Sequence, residues 1–275
     1  MSRRRGIEST LRSLTEIRDI LNAMKNIART EVNRLGRFLE TQRRVVESLQ
    51  SAAADFRSFY PQLFESAQVR EVDILLGSER GFCGDFNVCV LEAFKQHRCR
   101  SDCYAVTVGT KLQARLGDSL PQSTFLENAS VADEIEETMS RIMEAVSIVR
   151  RAPDAALRLT VFHHHQHGES AKMTVLDLFE QAEVPLQRFH YPPALQLDPA
   201  VFAGELMQQY LFARLYELLC SSLLTENQAR VEHLESAVQR LDRRSAELLR
   251  RRDALREEEI TEEIEVIMLS SEASV

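Results

Sequence analysis

A chain of 275 residues, 44% hydrophobic and 28% charged, has room for one sizeable soluble domain, or one domain plus a long extension. Its formal net charge of −8 excludes a general nucleic-acid binder, which needs clustered cations to neutralise phosphates. Five cysteines, an odd number, follow a basic start (Met1-Ser2-Arg3-Arg4-Arg5) that has no apolar run behind it, so reduced thiols are expected rather than a disulfide framework.

From about residue 7 to 57 there is no proline and a single glycine, Gly36. Apolar side chains at Leu14, Ile17, Leu21, Met24, Ala28, Leu35, Phe38, Val45, Leu49 and Ala52 step by threes and fours once Glu31 and Gln42 fill the gaps. That spacing predicts a long helix with a heptad seam. Ser9 or Thr10 is a candidate N-cap, and Pro61 sets the stop by disfavouring helical geometry at Tyr60.

The pattern then changes. Val72–Leu76 reads as a strand, Phe86–His97 as a helix, Tyr104–Val108 as a strand, and Lys111–Leu116 as a short helix. Thr124–Leu126 is a further strand, Val131–Val149 a helix, and Leu157–Phe162 a strand that returns through Met173–Phe179 after a turn at His167-Gly168. Alternating strands and helices predict a small α/β sheet, at least partly parallel. The connection "GSERGFCGDFN", Gly77 to Asn87, lies where a phosphate cradle would lie, between a strand and a helix. Yet Gly77, Gly81 and Gly84 match neither glycine fingerprint of nucleotide-binding loops, and no lysine follows. His163-His164-His165-Gln166-His167 raises a metal site from alternate residues of a strand, against an exposed polar hairpin tip, and the tip is the better reading. Cys99 and Cys103 have no second pair and read as thiols, not a zinc site.

After Tyr191-Pro192-Pro193, a helix is expected from about 200 to 269, roughly 100 Å long at 1.5 Å per residue, so much of it must project. Leu206, Tyr210, Ala213, Cys220 and Leu224 form its first stripe. Val231, Leu234, Val238, Leu241, Ser245, Leu248, Arg252 and Leu255 form the next. Arg214 and Glu217, in the middle of its most apolar stretch, exclude a membrane span. Ile260, Ile264 and Ile267 begin a new stripe that, with Met268 and Leu269, makes an apolar end. The seam predicts an antiparallel partner, which the N-terminal helix supplies; being shorter, it leaves one end of the C-terminal helix protruding. Arg240, Arg243, Arg244, Arg250, Arg251 and Arg252 form a basic band suited to an acidic partner surface, and Glu247 is placed to pair with Arg251. Arg252 stands on the seam, an expensive place for a charge unless the seam is polar or open there.

The expected fold is α/β: a long antiparallel coiled coil of N- and C-terminal helices (1–60 and 200–275) with an inserted small α/β, Rossmann-like domain (68–190). No serine–histidine–aspartate motif, paired-carboxylate signature or metal-binding helix points to chemistry of the chain's own.

That arrangement resembles the gamma subunit of F-type ATP synthases. "SERGFCGDFN" is similar to the family's Ser-Asp-Arg-Gly-Leu-Cys-Gly-Gly-Phe-Asn, "TENQARV" (Thr225 to Val231) to its Ser-Glu-x-x-Ala-Arg-Met, and "REEEITEEIEVI" (Arg256 to Ile267) to its Arg-Gln-Ala-x-Ile-Thr-x-Glu-Leu-x-Glu-Ile. Ile20 to Met24, with Ala28, is similar to the family's Ile-Thr-Lys-Ala-Met and its following alanine. Asp85, Leu21, Asn22 and Glu257 depart from the usual residues, which suggests a divergent member, such as an N-type ATPase gamma subunit.

The resemblance implies a non-catalytic central rotor stalk on the cytoplasmic side of the bacterial cell membrane, peripheral and without a transmembrane segment. It implies partners in the alpha and beta subunits of the catalytic hexamer, the epsilon subunit and the c-ring, with no cofactor, no small-molecule substrate and no nucleic acid. The glycine loop becomes a structural turn, with Gly81 and Gly84 expected at positive φ or in tight approach. Arg256, Thr261, Arg252 and Met24 are the expected contacts with the catalytic ring, and Ile264, Ile267 and Met268 the shaft tip. Two rivals from the residues alone are a coiled-coil scaffold or adaptor with an α/β head and a cytosolic α/β enzyme whose helices dimerise. Copurification with alpha and beta chains separates the first, nucleotide turnover by the isolated chain the second.

Overall fold

A computed structural model describes residues 2–64, 69–97, 104–117, 123–149, 156–164, 171–176 and 191–272. Helix α1 spans Ser2–Phe59 and is followed by a 3-10 turn at Pro61–Phe64. Then come β1 (Val69–Leu76), α2 (Phe86–His97), β2 (Tyr104–Val108), α3 (Thr110–Leu116) and β3 (Ser123–Leu126). A 3-10 turn (Ala132–Glu134) leads into α4 (Ile135–Val149), then β4 (Ala156–His164), β5 (Ala171–Leu176) and α5 (Pro199–Glu272). By contacts the chain divides into two units, Met1–Ala28 with Val231–Val275, and Arg29–Arg230.

In the Arg29–Arg230 unit the five strands run β3-β2-β1-β4-β5, parallel except for β5, which turns back antiparallel to β4. Alternate residues of a strand face opposite ways, and the sheet is covered on both sides. Val72, Ile74, Val106 and Val161 pack on Met139 and Ile142 of α4, Leu35 and Leu39 of α1, and Leu215 and Leu219 of α5. Leu75, Ala105 and Phe162 face the other way, onto Val90 and Phe94 of α2 and Leu112 of α3. In the same unit Val46 and Ala53 of α1 pack on Leu206, Tyr210 and Ala213 of α5, an antiparallel pairing. A polar layer marks the register there. The Gln42 amide donates to the Ala213 carbonyl at 3.1 Å, and Glu217 is paired with Arg214 and, at 3.7 Å, Arg43.

The other unit repeats the antiparallel pairing. Leu21, Leu234 and Val238 form its core, with Met24, Ala237 and Leu241 against it. Ion pairs descend in opposite order along the two helices: Arg4–Glu259 at 3.1 Å, Arg18–Asp242 at 3.9 Å and Lys25–Glu235 at 2.9 Å.

The C-terminal seam lies where the spacing puts it, with Leu234, Val238 and Leu248 buried and Val231, Leu241, Ser245, Arg252 and Leu255 half-buried. On α1 only one of the two expected rows is inside. Leu21, Ala28 and Leu35 are buried, but Ile17, Phe38 and Val45 are exposed, and Leu39, Val46 and Ala53 take the inner row instead. Each lies one position further on, so a stripe with apolar residues on both neighbouring rows did not specify its phase. The helix also begins before Ser9; the Thr10 hydroxyl donates back to the Gly6 carbonyl at 2.9 Å and caps nothing.

Only some loop glycines are conformationally required. Gly84 has φ of 59°, whereas Gly81 is not at positive φ and a Cβ there would meet nothing; the neighbouring Phe82, at φ 63°, takes the left-handed position instead. The close approach falls on Gly77, where a Cβ would lie 2.2 Å from the Leu112 Cβ. Gly84→Val should therefore lower stability by at least about 1–2 kcal/mol, the cost of a side chain in left-handed geometry. Gly81→Ala should stay within about 0.5 kcal/mol of the parent. Thermal or urea unfolding of the full chain measures both.

Candidate functional site

Two regions matter: the glycine loop with its neighbours, and the far part of α5. The loop after β1 is used up by internal bonds. The Ser78 N–H donates to the Asn87 Oδ1 at 2.9 Å, the Asn87 amide returns to the Ser78 Oγ at 2.8 Å, and the buried Cys83 thiol points at that same oxygen at 3.3 Å. The Asn128 amide donates to the Gly77 carbonyl at 2.6 Å. The Glu79 carboxylate accepts from the Thr110 hydroxyl, and at 3.0 Å from both the Thr110 and the Asn128 backbone N–H. Partial burial pulls the Glu79 carboxyl up, but those hydrogen bonds outweigh it and hold it below its ordinary value. The stretch thus stitches three strand ends together: the exit of β1, the start of α3 after β2, and the exit of β3.

Helix α5 closes on the same loop. Glu226, Asn227 and Arg230, from the second motif noted in the sequence, are all buried. The Arg230 guanidinium donates to Glu226, to the Asn227 Oδ1 at 2.8 Å and to the Gly81 carbonyl at 3.2 Å. Two sequence motifs about 150 residues apart therefore form one joint. Gly81 matters here through its carbonyl, not through its missing side chain.

The strand order reverses direction at β1, and in open α/β sheets the crevice at such a point is where ligands bind. Here His164, at the end of β4, stacks on Phe86 at 4.0 Å and meets its carbonyl at 2.8 Å. A carbonyl only accepts, so Nε2 carries the proton, and burial holds the ring below its ordinary pKa in the neutral form. His163 is buried too, with Nδ1 on the His164 carbonyl and Nε2 against the Thr174 hydroxyl. These two histidines are strand residues in the interior, which corrects the hairpin-tip reading for them. His165, His167 and Gly168 lie outside the described residues, as do Cys99, Cys103 and Phe179. Among the described residues no group of three or more potential ligands could hold a metal ion.

The far part of α5 carries the expected contact residues. Arg252 is half-buried on the seam and bonds to Asp253 at 2.9 Å. A groove of about 610 Å³ opens beside it, lined also by Arg12, Thr15, Ser245 and Leu249, so the charge keeps solvent access. Arg256 is exposed and makes no ion pair or hydrogen bond among the described residues, because Asp253 is engaged by Arg252 and Glu259 by Arg4. The Thr261 hydroxyl is exposed and donates to the Glu257 carbonyl at 2.9 Å. From Thr261 to Met268 every side chain is exposed, with Ile264 at 52%, Ile267 at 65% and Met268 at 59%; the Leu269 side chain lies outside the description. In the basic band, Glu247 pairs with Arg244, not Arg251. Met24 is half-buried against the helix pair's own core, while Ile20 and Ile27 beside it are exposed.

Glu31 and Arg34 have roles that the heptad spacing does not show. Glu31 fills a gap in the seam by its spacing, yet it accepts from the Ala132 N–H at 3.0 Å, and Arg34 makes a two-pronged pair with Asp133, so both anchor the start of α4 to α1. Nothing in the local pattern signals that, because the two partners lie about 100 residues away.

These features define a class first: two long terminal helices paired antiparallel, with a mixed five-stranded sheet inserted between them and exposed polar and apolar surface at the far end of α5. A family model described as ATP synthase matches residues 3–273, and the chain belongs to that family. It is 21% identical over 291 residues to an ATP synthase gamma chain of Azobacteroides pseudotrichonymphae, covering 97% of each. To that of Mycoplasma mobile it is 20% identical over 291 residues, covering 100% of each. In fold it is similar to a chain in a Euglena gracilis mitochondrial ATP synthase structure (16% identity, 99% and 94% covered, TM-score 0.64). It is similar also to one in the central stalk and c-ring of the Tetrahymena thermophila mitochondrial enzyme (19% identity, 79% and 99% covered, TM-score 0.56).

The Arg230 joint has a measurable consequence. Removing one partner of a buried ion pair typically costs about 3–5 kcal/mol. Arg230→Ala should lose stability on that scale in urea unfolding of the full chain at about pH 8, whereas Arg250→Ala, exposed on the same helix, should lose less than about 0.5 kcal/mol.

Proposed function

We propose that the chain is the central rotor stalk of an F-type ATP synthase, transmitting torque between the c-ring of the membrane sector and the catalytic alpha/beta hexamer. The observation that carries this is the family match from residue 3 to 273, which takes in both terminal helices and the sheet between them. A stalk must present different surfaces to the subunits around it as it turns, so that each catalytic site is biased toward a different state. Such bias requires differential contacts, not nucleotide chemistry. In this reading the chain is non-catalytic, and the same rotation runs in synthesis or, reversed, in ATP-driven ion pumping. The epsilon subunit is a further partner. The stalk is peripheral, on the cytoplasmic side of a bacterial membrane; among the described residues no helix is long and apolar enough to cross one.

Arg256 and Thr261 are the proposed contacts with the catalytic ring, with Arg252 and Met24 at the inner edge of that surface. Arg256 favours the role because it is exposed and makes no pair among the described residues, and its planar fork suits a carboxylate. Ile264, Ile267 and Met268 form the shaft tip.

Coexpression with candidate alpha and beta subunits, followed by sizing and an ATPase assay, tests the reading; a chain that never joins the complex overturns it. Within the complex, Arg256→Ala should leave assembly normal and reduce ATP hydrolysis several-fold or more, since a charged interfacial hydrogen bond is worth about 1.5–3 kcal/mol. Deleting the chain from Ile264 onward should weaken coupling of hydrolysis to ion pumping. It should leave cooperative unfolding intact by circular dichroism, because the removed side chains are exposed up to Met268.

A further inference from the structure

Glu226 is 1% exposed, and only half of its carboxylate is used. One oxygen accepts from Arg230, while Oε2 is buried and has no hydrogen-bond partner among the described residues. Ser222, one turn earlier on the same face of α5, also has a buried hydroxyl without a partner among the described residues. A buried ion pair repays its desolvation only when the remaining lone pairs are also satisfied, so with Oε2 bare the charged form of Glu226 stays costly even beside Arg230. The charged and titratable groups facing it are Arg230 on its own helix and Glu79, Arg80 and the Cys83 thiol on the β1–α2 loop. Burial dominates and raises the carboxyl from 4.5 to about 7, against the opposing pull of Arg230 and Arg80 and with a smaller push from Glu79.

We infer that Glu226 is a proton-operated latch: protonation favours closure of α5 on the glycine loop, where Arg230 holds the Gly81 carbonyl, and loss of the proton loosens that closure. The direction follows from linkage. The closed joint binds the proton more tightly than an opened, hydrated one, so closing takes up a proton between the two pKa values. Opening therefore becomes easier as pH rises from about 4.5 to about 7, and levels off above that. His164 works in the opposite sense. Its pKa is lowered by burial, so an opening that exposes it becomes easier as pH falls through its ordinary value of 6.5.

The test is hydrogen exchange of the full chain from pH 5 to 8.5, read on peptides covering Ser78–Asn87 and Ser222–Arg230 and corrected for intrinsic exchange rates. Protection should fall with rising pH by up to about tenfold per unit within the window. Glu226→Gln, which mimics the neutral acid, should abolish that fall and leave only the opposite trend from His164. An unchanged slope in the variant overturns the latch. A second measurement does not depend on the variant folding: carbon-13 titration of the glutamate carboxyls in the parent chain. A Glu226 midpoint near 7 supports the latch, and one at or below about 5 removes it.

Discussion

A buried guanidinium holds the head of this molecule together. Arg230 has three acceptors within reach: one carboxylate, one side-chain amide and one backbone carbonyl of a loop far away in sequence. A buried cation without such partners would cost several kcal/mol. The loop cannot shift without stripping an acceptor from Arg230, and α5 cannot turn there without doing the same. Because the loop also ties in α3 and the exit of β3 through Glu79 and Asn128, this one joint sets the C-terminal edge of the sheet against α5.

The joint also bears on what the sheet is for. Folds of this order bind ligands in the crevice where the strand order reverses. In this chain that crevice is bridged by His164 on Phe86, and the loop donors and acceptors of Ser78, Gly77 and Glu79 are engaged with the chain's own groups. What the sheet carries is helices, with α1, α4 and α5 packed on one face and α2 and α3 on the other.

Within each unit the helix pairing is fixed by charge as much as by apolar burial. Aliphatic seams alone tolerate sliding, because one Leu or Ala row resembles the next. Polar layers remove that freedom: Gln42 on the Ala213 carbonyl, Glu217 between Arg43 and Arg214, and Lys25 on Glu235 each find their partner in one register. Past Glu259, which Arg4 engages, the α5 side chains from Thr261 to Met268 are exposed.

The elements themselves were legible in the chain. Strand and helix bounds from Phe86–His97 to Pro199–Glu272 follow local periodicity and proline placement, and the C-terminal seam was read at its true phase. That seam is legible because the rows on either side of it hold mostly charged, polar or small residues, with Leu249 the one large apolar exception. On α1 the rows through Phe38–Val45 and Leu39–Val46 are both apolar, and only the sheet and α5 decided that the second faces inward. His163 and His164 are buried for a related reason that spacing does not show: a polar residue reads as surface unless a carbonyl and a hydroxyl from elsewhere in the fold satisfy it. The amino-acid sequence by itself determined the helices, the strands and the family, because these rest on spacing and short motifs within one segment. Which rows are buried, why Gly81 lies under Arg230, and how Glu226 comes to be buried half-partnered were decided only by tertiary structure, since each depends on groups brought together from distant parts of the chain.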